Sequence, residues 1–441
     1  MNRPRSTELG LVIMAAVITV AAYVLGALGR TASLPANIIP FLAIVLGLLL
    51  TAHVATRVLA PKADPLLLPM AALLNGLGYV FIARISTRLA GLQATWTLIG
   101  IFAFIVTLVV VRRARDLRRY TWTFALGGLV LLLLPLLPHV GRTVNGSRIW
   151  IRVGTINFQP GEPAKIVLAL FLAAYLVDRR ELLGVGTWKI GPLRLPQPRD
   201  LLPVLVAWGL AILIMAGQSD LGSSFIFFAL FVVMIWIASE RASYLGVGAV
   251  LFAGGSVGVW RVVAHVRTRV SIWLDPWAHA LTSGYQLIQG SYAFAWGGVV
   301  GTGIGLGDPT RVPAVQTDFI LAAIGEELGL LGTTAVLLAI IFMIGAGLRI
   351  AVRATHPFDK LLAVGLTTII AIQAFTIIGG VTRLVPLTGV TLPFVSYGGS
   401  SLVANYVLLA LLLRISHDAS VDAGEGEPRR TRRERHAKVA S

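Results

Sequence analysis

The sequence predicts an all-α polytopic membrane protein of about twelve transmembrane helices, with a large extracellular loop before Asp318. Three observations carry this. Mean hydropathy is +0.82. Hydrophobic residues make up 56% of the chain and charged residues only 13%, where soluble proteins average about 25% charged. The apolar residues also come in long runs separated by short charged or Gly/Pro-rich links. These features exclude a soluble globular enzyme.

A span needs roughly 20 mostly apolar residues. Such runs lie near 8–29, 36–59, 66–83, 94–111, 121–138, 162–177, 201–216, 223–238, 243–263, 317–348, 361–382 and 391–413. The start, Met1 to Arg5, is basic. The run after it is too long for a cleavable signal and lacks an Ala-x-Ala site, so the first segment is expected to stay in the membrane. The runs at 201–216 and 223–238 are short and fit tilted or partly re-entrant segments. The run from 317 exceeds one perpendicular crossing at about 1.5 Å per residue. Either it tilts, or its first turns, Asp318 included, project from the lipid core.

Placing both termini in the cytoplasm puts Lys and Arg on the inner side by roughly two to one, as the positive-inside rule requires. The loop with Arg112, Arg113, Arg115, Arg118 and Arg119 is the strongest single indicator. The net charge of +17 then reflects inner loops facing anionic lipid, not nucleic acid. Zero cysteines remove disulfides, thiol catalysis and Cys-ligated zinc.

Two outer loops stand out. One, at 139–161, contains Asn145-Gly146-Ser147-Arg148-Ile149-Trp150. The other, at 264–316, is too long for a plain connection and too rich in aromatic and Ile residues to be disordered. Its glycines at 301, 303, 305 and 307 suggest a phosphate loop, but no Gly-Lys-Ser/Thr follows. A closely packed entry loop suits them better. The segment after about 418 reads as a solvated basic tail.

Ionisable groups in membrane-grade sequence default to a functional hypothesis. Of the 20 carboxylates, those left for the outer face or membrane are Glu162, Asp220, Asp275, Asp308, Asp318, Glu326 and Glu327. Glu162 and Lys165 lie three apart at a helix start. They read either as a buried ion pair fixing helix packing or as a charged cavity wall. Asp220, in Gln218-Ser219-Asp220-Leu221-Gly222, suits a turn or N-cap better than catalysis. Glu326 and Glu327 cannot share one helix face and read as structural. Asp318 reads as a base or as the partner of an outer Arg or Lys165. Arg383 follows a span; Arg binds phosphate bidentately. Small residues around Ser396-Tyr397-Gly398-Gly399-Ser400 permit close helix contact.

Taken in order, these pieces resemble the SEDS family (shape, elongation, division and sporulation) of RodA/FtsW/SpoVE polymerases. The matching segments are Asn145 to Trp150, Gln159-Pro160-x-Glu162-x-x-Lys165, Gln218-x-Asp220-Leu221-Gly222, Leu274-Asp275-Pro276 and Gly284-Tyr285-Gln286. Thr317-Asp318-Phe319-Ile320 with Glu326-Glu327-Leu328-Gly329, and Pro393-x-x-Ser396-Tyr397-Gly398-Gly399-Ser400, complete the set. Ser219, Gly161, Gly290 and His279 depart from the usual residues. Thr388 stands where many division-type members carry Lys, which leans toward the RodA side. The family core has ten helices. Residues 1–65 then hold the N-terminus and two added helices, 66–415 the core, and 416–441 a disordered basic tail. The addition and the tail resemble actinobacterial RodA.

The resemblance implies a peptidoglycan glycosyltransferase of the cytoplasmic membrane that polymerises lipid II on the outer face during elongation. Asp318 is the catalytic candidate. The substrate-binding candidates are Arg148, Glu162, Lys165, Asp220, Tyr285, Gln286, Arg383 and Ser396. A divalent cation, Mg or Mn, is expected to aid the pyrophosphate leaving group, without identifiable ligands. The expected partners are undecaprenyl-pyrophosphate-linked glycan and a class B penicillin-binding protein, a transpeptidase. The alternative activity is a flippase of the lipid-linked precursor. A twelve-span solute transporter predicts internal repeats and paired broken spans, which the sequence does not display.

Overall fold

The structure, a computed structural model, describes residues 3–33, 38–144, 146–154, 156–181, 188–190, 193–195 and 198–425. Asn145 and residues 426–441, which hold most of the expected tail, lie outside the described residues. The fold is a helical bundle. Its helices are α1 (Arg3–Thr31), α2 (Ile38–Leu59), α3 (Leu67–Ile85), α4 (Thr87–Val110), α5 (Thr121–Leu133), α6 (Gly161–Asp178) and α7 (Pro198–Gly217). They continue with α8 (Leu221–Ser239), α9 (Ser243–Val262), α10 (Ala264–Leu274), α11 (Tyr285–Gly297), α12 (Ile320–Arg353), α13 (Pro357–Val381) and α14 (Gly399–Glu425).

Among the described residues, nine helices are long and apolar enough to cross a membrane. The other three expected spans fall on the shorter apolar helices Ala43–Leu59 and Leu202–Gly217 and on α6, which carries Glu162, Lys165 and Asp178. The core gathers around α13 and α14, the most enclosed helices, while α9 is almost entirely exposed.

The long apolar run is broken rather than simply tilted. Asp318 lies ahead of α12 rather than within its first turns. Inside α12, Gly329 leaves helical geometry at φ 65°, ψ −163°, a region open essentially to glycine. Its freed backbone groups are taken up by the glycine loop. Leu330 N donates to Gly298 O at 2.9 Å and Leu331 N to Val299 O at 3.1 Å, while Thr302 N donates to Glu326 O and Gly303 N to Glu327 O, both at 3.0 Å. A side chain on Gly301 would lie 2.2 Å from Glu327 O. The loop thus mends a helix.

Two expectations from hydropathy need correction. The loop at 139–161 contains an antiparallel sheet of β1 (Gly141–Val144), β2 (Ser147–Val153) and β3 (Ile156–Phe158), with Arg142 opposite Trp150 and Arg152 opposite Asn157. A second hairpin pairs β4 (Trp188–Ile190) with β5 (Leu193–Leu195). Hydropathy averages over both, because alternating β-branched and aromatic residues look like neither a span nor a polar loop. The expected disordered segment also begins too early, since α14 runs on through Glu425. Residues just before and within this stretch bind the loops after α2 and α4 and the ends of those helices. Arg414 donates to Leu59 O and Leu108 O, Ser416 accepts from Asp64 N, and Asp418 accepts from Ala114 N.

The first helix packs closely on the rest of the bundle. A side chain on Gly76 of α3 would strike Thr19 of α1. At the other end of α1, Gly29 presses on Ile304 O and Gly305 on Gly26 O. Helix α1 therefore braces the glycine run itself.

Candidate active site

Asp318 is fixed by the turn that opens α14. Ser396 Oγ donates to Thr317 O at 2.6 Å and accepts from Leu392 N at 2.9 Å. Tyr397 N donates to Gln316 O at 2.8 Å. On the other side Phe319 is fully buried. A side chain on Gly290 of α11 would lie 2.5 Å from its ring, so the glycine at this position has a packing reason. Anchors on both flanks hold the intervening carboxylate.

Helix α10 supplies the charge. Trp273 Nε1 donates to Arg383 O at 2.9 Å, and the Arg383 guanidinium returns a bond to Trp273 O at 3.3 Å. One turn back, Arg269 Nη1 donates to Leu387 O at 3.1 Å. Arg269 and Asp318 converge on Gly389: a methyl group there would sit 3.8 Å from Asp318 Oδ2 and 4.0 Å from Arg269 Nη2. Burial raises the Asp318 pKa from 3.8 to about 6, against the opposing pull of the Thr317 hydroxyl and the Arg269 charge. Arg269 in turn loses proton affinity through burial and regains some from Asp318 and Asp220.

The other six carboxylates that the sequence assigned to the outer face are committed elsewhere. Glu162 Oε2 meets Lys165 Nζ at 2.9 Å, and Lys165 reaches Gln373 Oε1 at 3.2 Å. Gln373 continues to Thr391 O and Ser401, so the ion pair joins α6, α13 and α14 in one buried network. Asp220 caps α8 through Ser223 N at 3.0 Å. Asp275 accepts from Trp277 N and Ala278 N. Asp308 bonds Thr310 and Arg311, which hold its pKa below the usual carboxylate range. Glu326 accepts from Asp308 N at 2.8 Å and Glu327 from Gly305 N at 2.9 Å. Arg84 reaches Glu327 at 3.3 Å and the carbonyls of Gly305 and Gly307.

The remaining sequence candidates are spread around this centre. Arg148 sits on β2, its guanidinium on Leu137 O at 3.0 Å and its backbone N on Gln218 O at 3.1 Å. Gln286 donates to Pro313 O at 2.8 Å, and Tyr285 is exposed. The structure thus brings Asp318, Ser396 and Arg383 to one neighbourhood, with Asp220 linked to it through Arg269. It does not place Arg148 there. Arg269 and Thr317 were not among the site residues expected from sequence. Arg269 had only one signal, its place in a long outer loop.

Among the described residues no three His, Cys, Asp or Glu side chains gather as a metal site. A hard divalent ion held mostly by substrate phosphates needs only one or two protein carboxylates. Asp318 and Asp220, the two carboxylates whose charges act on Arg269, are the residues that would serve so.

The two ends of α12 separate this site from the basic loops. Arg349 at its far end meets Asp64 at 3.7 Å, beside the segments that bind Asp418 and Asp422. The protein is therefore a multi-pass helical membrane protein with an acid–arginine site at the end of the bundle opposite its most basic loop. It belongs to the FtsW/RodA/SpoVE family, whose profile, described as "Cell cycle protein", matches residues 65–421.

Peptidoglycan glycosyltransferase RodA of Mycobacterium tuberculosis is 45% identical over 426 residues, covering 94% of this chain and 91% of that protein. Probable peptidoglycan glycosyltransferase FtsW of Geobacter metallireducens is 35% identical over 341 residues, covering 77% and 85%. Among solved structures, the rod shape determining protein RodA of Thermus thermophilus aligns with TM-score 0.59 at 24% identity, covering 81% of this chain and 97% of that one. A chain from a peptidoglycan synthase complex that coordinates polymerization and crosslinking aligns with TM-score 0.67 at 24% identity, covering 81% and 98%. These structural likenesses speak to the fold.

Proposed function

We propose that this chain is a peptidoglycan glycosyltransferase of the elongation type. It polymerises lipid II into glycan strands on the outer face of the cytoplasmic membrane, with Asp318 as general base. The observation that carries this reading is the contrast among the outer acids. Six serve caps, ion pairs or loop anchors, while Asp318 keeps a pKa near 6. Such a carboxylate is mostly ionised at neutral pH, by roughly ten to one, yet is a better base than an ordinary aspartate.

In this reading the acceptor sugar hydroxyl gives its proton to Asp318 as its oxygen bonds the anomeric carbon of the donor. The bond from that carbon to the pyrophosphate breaks, and the undecaprenyl pyrophosphate leaves with the electron pair. Arg269 faces the developing negative charge, and Arg383 holds α10 so that Arg269 stays in place. Ser396 positions the Asp318 backbone. Tyr285 and Gln286 rim the approach, while Glu162, Lys165 and Asp220 shape the wall behind it. A divalent cation, held chiefly by the substrate's pyrophosphate, would find its protein carboxylate in Asp220 while Asp318 acts as base; bound, it would neutralise leaving-group charge. Both termini lie in the cytoplasm and about twelve helices span the bilayer. The partner is a class B penicillin-binding protein, supported by the likeness to a chain from a synthase complex.

Purified protein in liposomes, given lipid II with and without the transpeptidase, tests this. Glycan polymer is the expected product. Transbilayer movement of lipid II without polymer in either condition contradicts the proposal.

A further inference from the structure

At the end of the bundle that carries its basic loops, a cavity of about 350 Å³ opens between the first turns of α1 and the last turn of α2. Arg5, Ser6, Leu9, Gly10, Ile13, Arg57 and Pro61 line it. It lies at the bundle end opposite Asp318, and nothing in the proposed reaction uses it.

The two arginines differ in kind. Arg5 is buried and fully engaged, bonding Glu8, Pro61 O and Ala63 O. The second Glu8 oxygen meets His53 Nδ1 at 2.8 Å. Glu8 thus cancels the Arg5 charge, and the cluster makes a rigid wall that ties α1 to the turn after α2. Arg57 is exposed and has no ion-pair partner among the described residues. The cavity therefore keeps one uncompensated cation beside an apolar floor. From that floor an exposed apolar stripe runs deeper along both helices, through Ile13 and Val17 on α1 and Val54 on α2.

We propose that this cavity binds an anionic glycerophospholipid of the inner leaflet. Its phosphodiester rests against Arg57 and one acyl chain lies along Leu9, Gly10 and Ile13. A basic pocket between helices on the cytoplasmic side matches the charge of that leaflet. Guanidinium groups suit phosphate oxygens. A free phosphate would use the cation but leave the apolar floor and stripe without a ligand. Gly10 gives the site a steric handle, because a Cβ built there meets nothing within 4 Å. A side chain at that position therefore starts into open space at the cavity wall.

The test is native mass spectrometry of the full chain in detergent, offered equal amounts of phosphatidylglycerol and phosphatidylcholine. Wild type is expected to retain phosphatidylglycerol about fivefold over phosphatidylcholine, the preference one interfacial cation supports. Arg57→Gln and Gly10→Phe should each erase that preference, and Arg57→Lys should largely keep it. A wild type without preference overturns the proposal. So does a Gly10→Phe variant that binds as wild type does, since attraction would then be diffuse surface charge. Displacement of phosphatidylglycerol by inorganic phosphate at equal concentration also overturns it, marking a simple anion site. Thermal unfolding of each variant in detergent confirms that the fold is intact.

Discussion

Burial holds Asp318 near pH 6 against two influences that would lower it, the Thr317 hydroxyl and the Arg269 charge. If its ionised form is the base, activity rises with pH through about 6 and then levels. Arg269→Gln removes one lowering influence, so the acid limb of kcat/KM should move to higher pH. A pH profile of the variant checks this; an unmoved limb uncouples the two residues. The same shift has a stability consequence of opposite sign. The folded pKa lies above the ordinary 3.8, so between these values the native state binds more protons than the unfolded one. The stabilisation is present below about pH 4 and lost as pH rises through about 6. Asp318→Asn should therefore be more stable than wild type at pH 7.5, by up to about 3 kcal/mol, read as a higher unfolding temperature, with the gap closing toward pH 4. Asp318 itself was legible in the sequence as a costly acid at the mouth of an apolar run. Arg269 was not, because 49 positions separate it from Asp318 and only the fold joins them at Gly389.

Among elements, α12 and its glycine loop show where hydropathy stops informing. The pattern located the long run but not its break, since Gly329 matters through a backbone angle and not through polarity. Gly329→Ala forces φ 65° on a residue with a side chain and drives a Cβ to 2.3 Å from Gly301 N. It should cost more than about 2 kcal/mol, read from thermal unfolding in detergent. Gly345→Ala, on the same helix and facing open space, should be neutral or stabilising by under about 1 kcal/mol. Equal effects of the two would refute the loop's role in mending the helix. The sheet at 141–158 had a local signal that the loop reading passed over. Asn145-Gly146 between β-branched and aromatic residues is a hairpin pattern, and Gly146 has φ 82°. The expected caps and ion pairs fared better, because Asp220 and the Glu162–Lys165 pair act within three residues of their partners. Local spacing is visible in a sequence; contacts among α6, α13 and α14 are not.

At the scale of the molecule, the order of apolar runs and the bias of Arg and Lys were enough to separate two faces. The structure then put the half-buried acid at one end of α12 and the basic loops at the other. The chain has no cysteine, so single-cysteine variants test the orientation directly. Thr143→Cys on the outer sheet should react with an impermeant maleimide in intact cells, and Arg113→Cys should react only after lysis. The reverse pattern inverts the topology and removes Asp318 from the outer face. The central claim is narrower, that Asp318 takes the proton in glycan polymerisation. Its most direct test is lipid II polymerisation by purified Asp318→Asn, compared with wild type in the same liposomes and with the same transpeptidase. The account predicts a loss of at least about a hundredfold in a variant that folds and inserts normally. Polymer formed at the wild-type rate would contradict it.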